Sequence, residues 1–188
     1  MPRRPARTGR GSGRESKRAV VKTMMARPAP ALDRIDVKIL AGLQRQGRTT
    51  IQDLAAQVGL SPRATLERVR RLENTGIIAG YNAVIDVARL TRPVTVFAEI
   101  ALSNQVHHGP LERRLTALDE VVECWEVSGS VDYVARFACA DLSAYAALTE
   151  QLIDDPKLGI ARLVSHVALR PVRRFAGYPE TLFTRNPL

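Results

Sequence analysis

The sequence predicts an α+β protein made of a small helical head followed by a βαββαβ sandwich. Three observations carry this expectation. Between Leu32 and Tyr81, three amphipathic segments follow one another with only a few residues between them. Farther along, the runs 94–102, 121–127, 132–140 and 161–169 are rich in β-branched or aromatic residues, as strands are. The segments 110–118 and 142–153, which separate the first from the second and the third from the fourth of these runs, place apolar residues at helical spacing.

The first head segment begins at Asp33, whose carboxylate can cap orphan amides, and puts Leu32, Ile35, Ile39, Leu40 and Leu43 on one stripe before stopping at Gly47. The second starts at Thr50, where Thr50-Ile51-Gln52-Asp53 approximates a capping box; Leu54, Ala55 and Val58 form its apolar face and Gly59 ends it. Ser61-Pro62 opens the third, with a hydroxyl at the cap and proline where its missing N–H costs nothing.

In that third segment Thr65, Leu66, Val69 and Leu72 face inward. Arg63, Ala64, Glu67, Arg68, Arg70 and Arg71 remain outward, on a helix ending near Asn74 and Gly76. A charged helix face is ordinarily just a solvated face. Here the short turn 58–62 holds the second and third helices close, and four outward arginines point where phosphates and guanine edges would lie. The arrangement reads as a helix-turn-helix for double-stranded DNA, with Thr50, Ser61, Arg63, Ala64, Glu67, Arg68 and Arg71 as its candidate contacts.

Several stretches together are similar to the leucine-responsive/asparagine-responsive (Lrp/AsnC) regulators. They are Leu32-Asp33-Arg34-Ile35-Asp36-Val37-Lys38-Ile39-Leu40, Leu43-Gln44, Gly47-Arg48, Asp53-Leu54-Ala55, Gly59-Leu60-Ser61-Pro62, Arg68-Val69, Arg71-Leu72-Glu73, Gly76-Ile77-Ile78 and Gly80-Tyr81. The likeness continues to about Arg174. It implies a transcription regulator with an N-terminal winged-type helix-turn-helix and a C-terminal effector-binding and oligomerisation domain, commonly assembled from dimers into octamers. The implied organisation is a basic tail over 1–31, a head over 32–80, a linker over 81–93, a ferredoxin-like domain over 94–174 and a C-terminal tail over 175–188.

Read from its residues alone, the second half has a split-βαβ order, in which both helices cover one face of an antiparallel sheet. The other face then needs water or a partner. Val94, Val96, Ala98, Ile100 and Leu102 alternate along the first strand, yet the opposite set still holds Phe97 and Ala101; in the second, Trp125 and Val127 oppose Val122 and Cys124. With neither face cleanly polar, the expectation is a homodimer packed sheet to sheet, whose paired heads would reach half-sites about 34 Å apart.

The net charge of the 188 residues is +9, and residues 1–31, with nine Arg or Lys against one Glu, supply +8 of it. That Pro-, Gly-, Ser- and Arg-rich tail cannot bury a core and is expected to be disordered. It is either a basic arm attracting phosphates or an over-extended gene start, since Met24 and Met25 lie just before the head. No apolar run approaches a membrane span and no secretory core is visible, so the expected location is cytoplasmic.

A hairpin after Glu126 would set Cys124 opposite Ala135 and leave Cys139 about 13 Å along the strand, too far for a disulfide; both cysteines are expected as reduced core residues. His107, His108 and His166, without clustered spacing, argue against a metal site, and His107-His108 is expected in a solvated loop. No phosphate loop, nucleophile elbow or triad is present, so neither a cofactor nor catalysis is expected.

The turn 127–133 reads by itself as a plain hairpin, with Gly129 supplying permissive dihedrals and Asp132 a local hydrogen bond. The family resemblance implies instead that Gly129, Asp132 and Tyr133 hold an amino-acid-like effector at an interface between dimers, Asp132 meeting its ammonium group; Ser130 and Val131 depart from the family's usual acidic and aromatic residues there. Effector binding would then shift the oligomer between arrangements that space the heads differently. Two other classes stay open. Sirohaem decarboxylases resemble this family but need a His-containing basic pocket, and an architectural protein would wrap DNA with no small-molecule signal.

Overall fold

The computed structural model describes residues 31–103 and 107–184, so the basic tail lies, except for Ala31, outside the described residues. These residues form two compact units. One holds the head together with the chain from Val172 onward, and the other runs from Asp86 to Pro171.

The head contains α1 (Arg34–Arg45), α2 (Ile51–Val58) and α3 (Pro62–Asn74). Asp33 caps α1 by accepting from the amides of Ile35 and Asp36, while the Asp36 carboxylate accepts from the Asp33 amide, which completes a reciprocal capping box. Helix α1 ends at Arg45, before the Gly47 expected to stop it. Thr50 caps α2 through the Asp53 amide, but the Asp53 carboxylate returns to the Thr50 hydroxyl at 2.7 Å rather than to its backbone. The box expected there is therefore half made. Gly59, at φ +72°, closes α2 in the left-handed region, and Ser61 with Pro62 starts α3 as expected.

Ile39, Leu54 and Leu72 are fully buried at the centre of the head, with Val58, Val69 and Leu40 around them. A Cβ on Gly42 would stand 2.9 Å from Leu54 Cδ1, so the glycine sets how closely α1 and α2 pack. After α3 the chain runs extended. The helix-turn-helix expected of the head is present, but no strand occurs among the described residues 75–93, so the wing expected after α3 is not formed there as a β-hairpin.

The stretch expected to be a C-terminal tail instead folds onto the head. The Gln44 side-chain amide brackets the backbone of Tyr178, accepting from its N–H at 2.7 Å and donating to its C=O at 3.2 Å. Gly177, at φ +106°, lies so close that a Cβ there would stand 2.8 Å from Gln44 Oε1. A final helical turn, α6 (Thr181–Thr184), brings Phe183 against the head's apolar cluster.

The second unit has the order β1 (Val94–Leu102), α4 (Gly109–Thr116), β2 (Val121–Glu126), β3 (Tyr133–Cys139), α5 (Leu142–Asp154), β4 (Ile160–Val167). Its sheet order is β2-β3-β1-β4, all antiparallel, which is the βαββαβ sandwich expected. Val96, Ala98 and Ile100 of β1 meet Phe137, Ala135 and Tyr133 of β3 on the face covered by Leu111 and Leu115 of α4 and by Tyr145 and Leu152 of α5. Cys124 pairs with Ala135 as the register predicted, and both cysteines are free. Only Cys139 is a core residue, however. Cys124 is exposed, because edge strand β2 is exposed at every position after Val121.

Among the described residues no helix covers the opposite sheet face. One cross-strand row there reads Trp125, Val134, Glu99, Val164, and the next reads Glu123, Arg136, Phe97, His166. Trp125 is 62% exposed and Phe97 42%. Arg136 pairs with Glu123 along its row at 3.3 Å, and His166 Nε2 lies 3.5 Å from Glu99 Oε1 of the neighbouring row.

Replacing Phe183 with Ala is expected to lower head stability by about 1–3 kcal/mol through lost apolar burial, and the same change at the exposed Leu182 by under about 0.5 kcal/mol. Urea unfolding followed through hydrogen exchange of the α1 amides separates the two; equal effects would mean that the C-terminal turn does not belong to the head.

Candidate nucleic-acid interface and effector loop

Helix α3 has one buried face, formed by Thr65, Val69 and Leu72. Thr65 is accommodated there because its hydroxyl donates to the Ser61 carbonyl at 3.0 Å. On the other side Arg63, Glu67 and Arg70 follow one another at i, i+4 and i+7, all exposed. Arg63 pairs with Glu67 at 3.4 Å between side chains that are 90% and 66% exposed, a contact easily exchanged for another partner. Arg70 has no ion pair among the described residues.

The remaining two arginines depart from the expectation that all four point outward. Arg68 Nη1 donates to Asp33 Oδ2 at 2.6 Å and to Asp36 Oδ1 at 2.9 Å, and Arg71 Nη2 donates to Asp36 Oδ2 at 2.5 Å. The physical reason is Asp36, whose side chain is 1% exposed and whose charge needs compensation inside the protein. Arg68 is drawn down to 29% exposure, while Arg71 keeps 52%. Sequence reasoning missed Asp36 as a functional residue. Its signal was the matched spacing of Asp33-x-x-Asp36 and Arg68-x-x-Arg71, two i, i+3 pairs that stack when α1 crosses α3.

The electrostatics follow from this geometry. The Asp36 backbone amide, and then Arg68, hold the Asp33 carboxyl below its ordinary value, while Asp33 and Asp36 raise Arg68 further. Thr50 and Ser61 both spend their hydroxyls on capping, the first on Asp53 and the second on the Ala64 amide at 3.3 Å. They fix where α2 and α3 begin. Ala64 is half-buried beside them.

In the second unit, the three loop residues singled out from sequence do not converge. Gly129 sits exposed at the tip of the β2–β3 turn at φ +126°, with open space around it. Asp132 is tied to the end of β1: its amide donates to the Ile100 carbonyl and its Oδ2 accepts from the Leu102 amide at 2.8 Å. Tyr133 is 3% exposed on the helix-covered face, where its hydroxyl donates to Glu112 Oε1 at 2.8 Å and lies 2.8 Å from His108 Nδ1. Burial, and then Glu112, push that phenol well above its ordinary value. His108 is thus half-buried against Tyr133, with ring centroids 5.6 Å apart, rather than in a solvated loop; His107 is exposed.

Among the described residues, no three His, Cys, Asp or Glu side chains are placed to hold a metal ion, and no helix is long and apolar enough to cross a membrane.

Comparisons with known proteins match the two halves of the chain separately. Residues 32–73 match the AsnC-type helix-turn-helix domain, and residues 95–177 match the Lrp/AsnC ligand binding domain. The chain is 42% identical over 144 residues to the Bkd operon transcriptional regulator of Pseudomonas aeruginosa, a match covering 75% of this chain and 93% of that protein. It is 41% identical over 152 residues to the leucine-responsive regulatory protein of Escherichia coli K12, covering 79% and 91%. Among solved structures, an AsnC family transcriptional regulator from Agrobacterium tumefaciens superposes with a TM-score of 0.73 at 30% identity over 80% of this chain and 99% of that one. A transcriptional regulator from Neisseria meningitidis in complex with L-Met shares the fold, with a TM-score of 0.75 at 24% identity over 81% and 99%.

Two outcomes are expected of substitutions in these clusters. Folding lowers the Asp33 pKa, so its stabilisation is fully present above the ordinary 3.8 and is lost as the pH falls through the lowered value. Asp33→Asn is expected to weaken the head at neutral pH and to flatten its acid dependence below 3.8; urea melts with the same acid slope as the parent would refute this. In the sheet unit, Asp132→Ala is expected to cost about 1–3 kcal/mol by leaving the Leu102 amide unpaired, and Asp132→Asn, which keeps an acceptor, much less. Thermal melts of the two variants decide, and equal losses would show that the charge rather than the acceptor matters.

Proposed function

The chain belongs to the Lrp/AsnC family of transcriptional regulators, and from that premise we propose how its parts divide the work. It is a DNA-binding regulator with a helix-turn-helix head and a small-molecule-binding domain. It contacts DNA through the exposed row Arg63, Glu67 and Arg70, with Arg71 half-available beside it. Thr50, Ser61 and Ala64 bring the starts of α2 and α3 to the backbone. The observation that carries this reading is a helix with one face sealed into the head core and two arginines left on the other.

The regulator works in the cytoplasm as a homodimer closed over the uncovered sheet face, where Trp125 and Phe97 give a partner sheet its apolar contacts. Such dimers assemble further, up to an octamer, and an amino-acid-like effector binds at the interface between them. The turn 127–133 receives it. Gly129 offers open backbone to a carboxylate, Asp132 holds the turn on β1 and Tyr133 supports it from the core side. Support comes from the ligand-binding domain match and from the turn's exposed tip.

Genomic footprinting with purified protein, with and without a pool of amino acids, tests the whole reading. Discrete sites whose occupancy changes with the pool are expected, and broad, unresponsive coverage would overturn it in favour of an architectural protein. Asp132→Ala is expected to keep the sites and lose the response. Trp125→Glu is expected to give monomers by sedimentation and to weaken operator binding at least tenfold, since two heads no longer bind together.

A further inference from the structure

We propose that Asp36 is the positioning residue of the recognition helix and that Arg68 is a strut of its clamp rather than a DNA contact. The inference rests on the assignment of α3 to DNA but concerns a different set of residues. A base-reading or phosphate-binding arginine needs its guanidinium free to meet a new acceptor. Both hydrogen bonds of Arg68 Nη1 run instead to the carboxylates of Asp33, the N-cap of α1, and Asp36 in its first turn, 35 and 32 residues earlier in sequence.

All four carboxylate oxygens of the clamp are occupied. Asp36 Oδ1 takes Arg68, and Asp36 Oδ2 takes Arg71 and the Asp33 amide. Asp33 spends one oxygen on the amides of Ile35 and Asp36 and the other on Arg68. Two carboxylates against two guanidinium groups leave no net charge in the clamp; of the four arginines Arg63 and Arg70 lie wholly outside it, and Arg71 keeps a half-exposed edge. What the clamp supplies is orientation. It joins the start of α1 to the second half of α3 by charge-assisted hydrogen bonds, donated by the α3 arginines, around a 1%-exposed carboxylate, and thereby sets the roll of α3 and the direction in which Arg70 and Arg63 project.

Affinity for operator and for random DNA, measured against salt concentration, separates the roles, because each lost phosphate contact lowers the slope of log affinity on log salt by about 0.9. Far-UV circular dichroism confirms folding in each case. Arg68→Met is expected to leave the slope unchanged and to reduce the preference for operator over random DNA about tenfold, the size of one lost base discrimination. Asp36→Asn is expected to reduce that preference similarly while raising affinity for random DNA and steepening the slope, because Arg68 and Arg71 lose the charge that neutralised them. A variant that is merely less stable would do neither. A slope reduced by about 0.9 in Arg68→Met overturns the proposal by showing that Arg68 meets a phosphate. Arg70→Met serves as the comparison: its slope is expected to fall by that amount, and if it does not, the assignment of α3 fails rather than the clamp. Should Asp36→Asn not fold, the Arg68→Met slope decides alone.

Discussion

Two helices can cover only one side of a four-stranded sheet, and most of this protein's organisation follows from that constraint. Strand β1 is where it bites. It lies between β3 and β4, so its residues alternate between a sealed core of Val96, Ala98 and Ile100 and a face that still carries Phe97. Both connections to the head leave from one end of this pair of strands, for Val96 lies opposite Val167 and the Ala168 amide is bonded to the Thr95 carbonyl. The β2–β3 turn is pinned to the other end of β1, through the Asp132 bonds to Ile100 and Leu102. Strand β1 therefore runs from the β2–β3 turn at one end to the points where the chain enters and leaves the sheet unit at the other.

The head answers a different problem, that of orienting a short helix on a core of about a dozen apolar residues. Packing fixes the buried side of α3 through Val69 and Leu72 in the cluster of Ile39 and Leu54, but apolar contact is non-directional. A charge buried at Asp36 supplies the direction, since its guanidinium partners are satisfied in one geometry. Positive charge that could have served DNA attraction is spent on shape.

Much of this was legible in the sequence where a local rule has a single solution. Asp33, Thr50 and Ser61-Pro62 are cap signals with few competing uses, and the three helices begin where they stand. Strand β1 was readable to the residue, Val94–Leu102, from its run of β-branched and aromatic residues. The register placing Cys124 opposite Ala135 followed from turn length alone. What was not legible depends on distant segments. Helical spacing says that Arg68 and Arg71 leave the core but not that two carboxylates from α1 wait beside them. Likewise nothing local distinguishes Asp132 as an ammonium partner from Asp132 as a clasp on β1, and the return of Tyr178 to Gln44 spans 134 residues. Exposure of Cys124 was missed because alternation reports which face a side chain takes, not whether that face is covered at the sheet edge.

The seating of residues 177–183 on the head has a consequence for biosynthesis. A ribosome delivers the three head helices first, then the entire sheet unit, and only afterwards the segment that carries Tyr178 and Phe183. The nascent head therefore leaves the exit tunnel with its Gln44 amide and part of its apolar cluster unpaired, and it waits in that state until the sheet unit has been made. The packing of the head is thus completed only after the sheet unit has been synthesised.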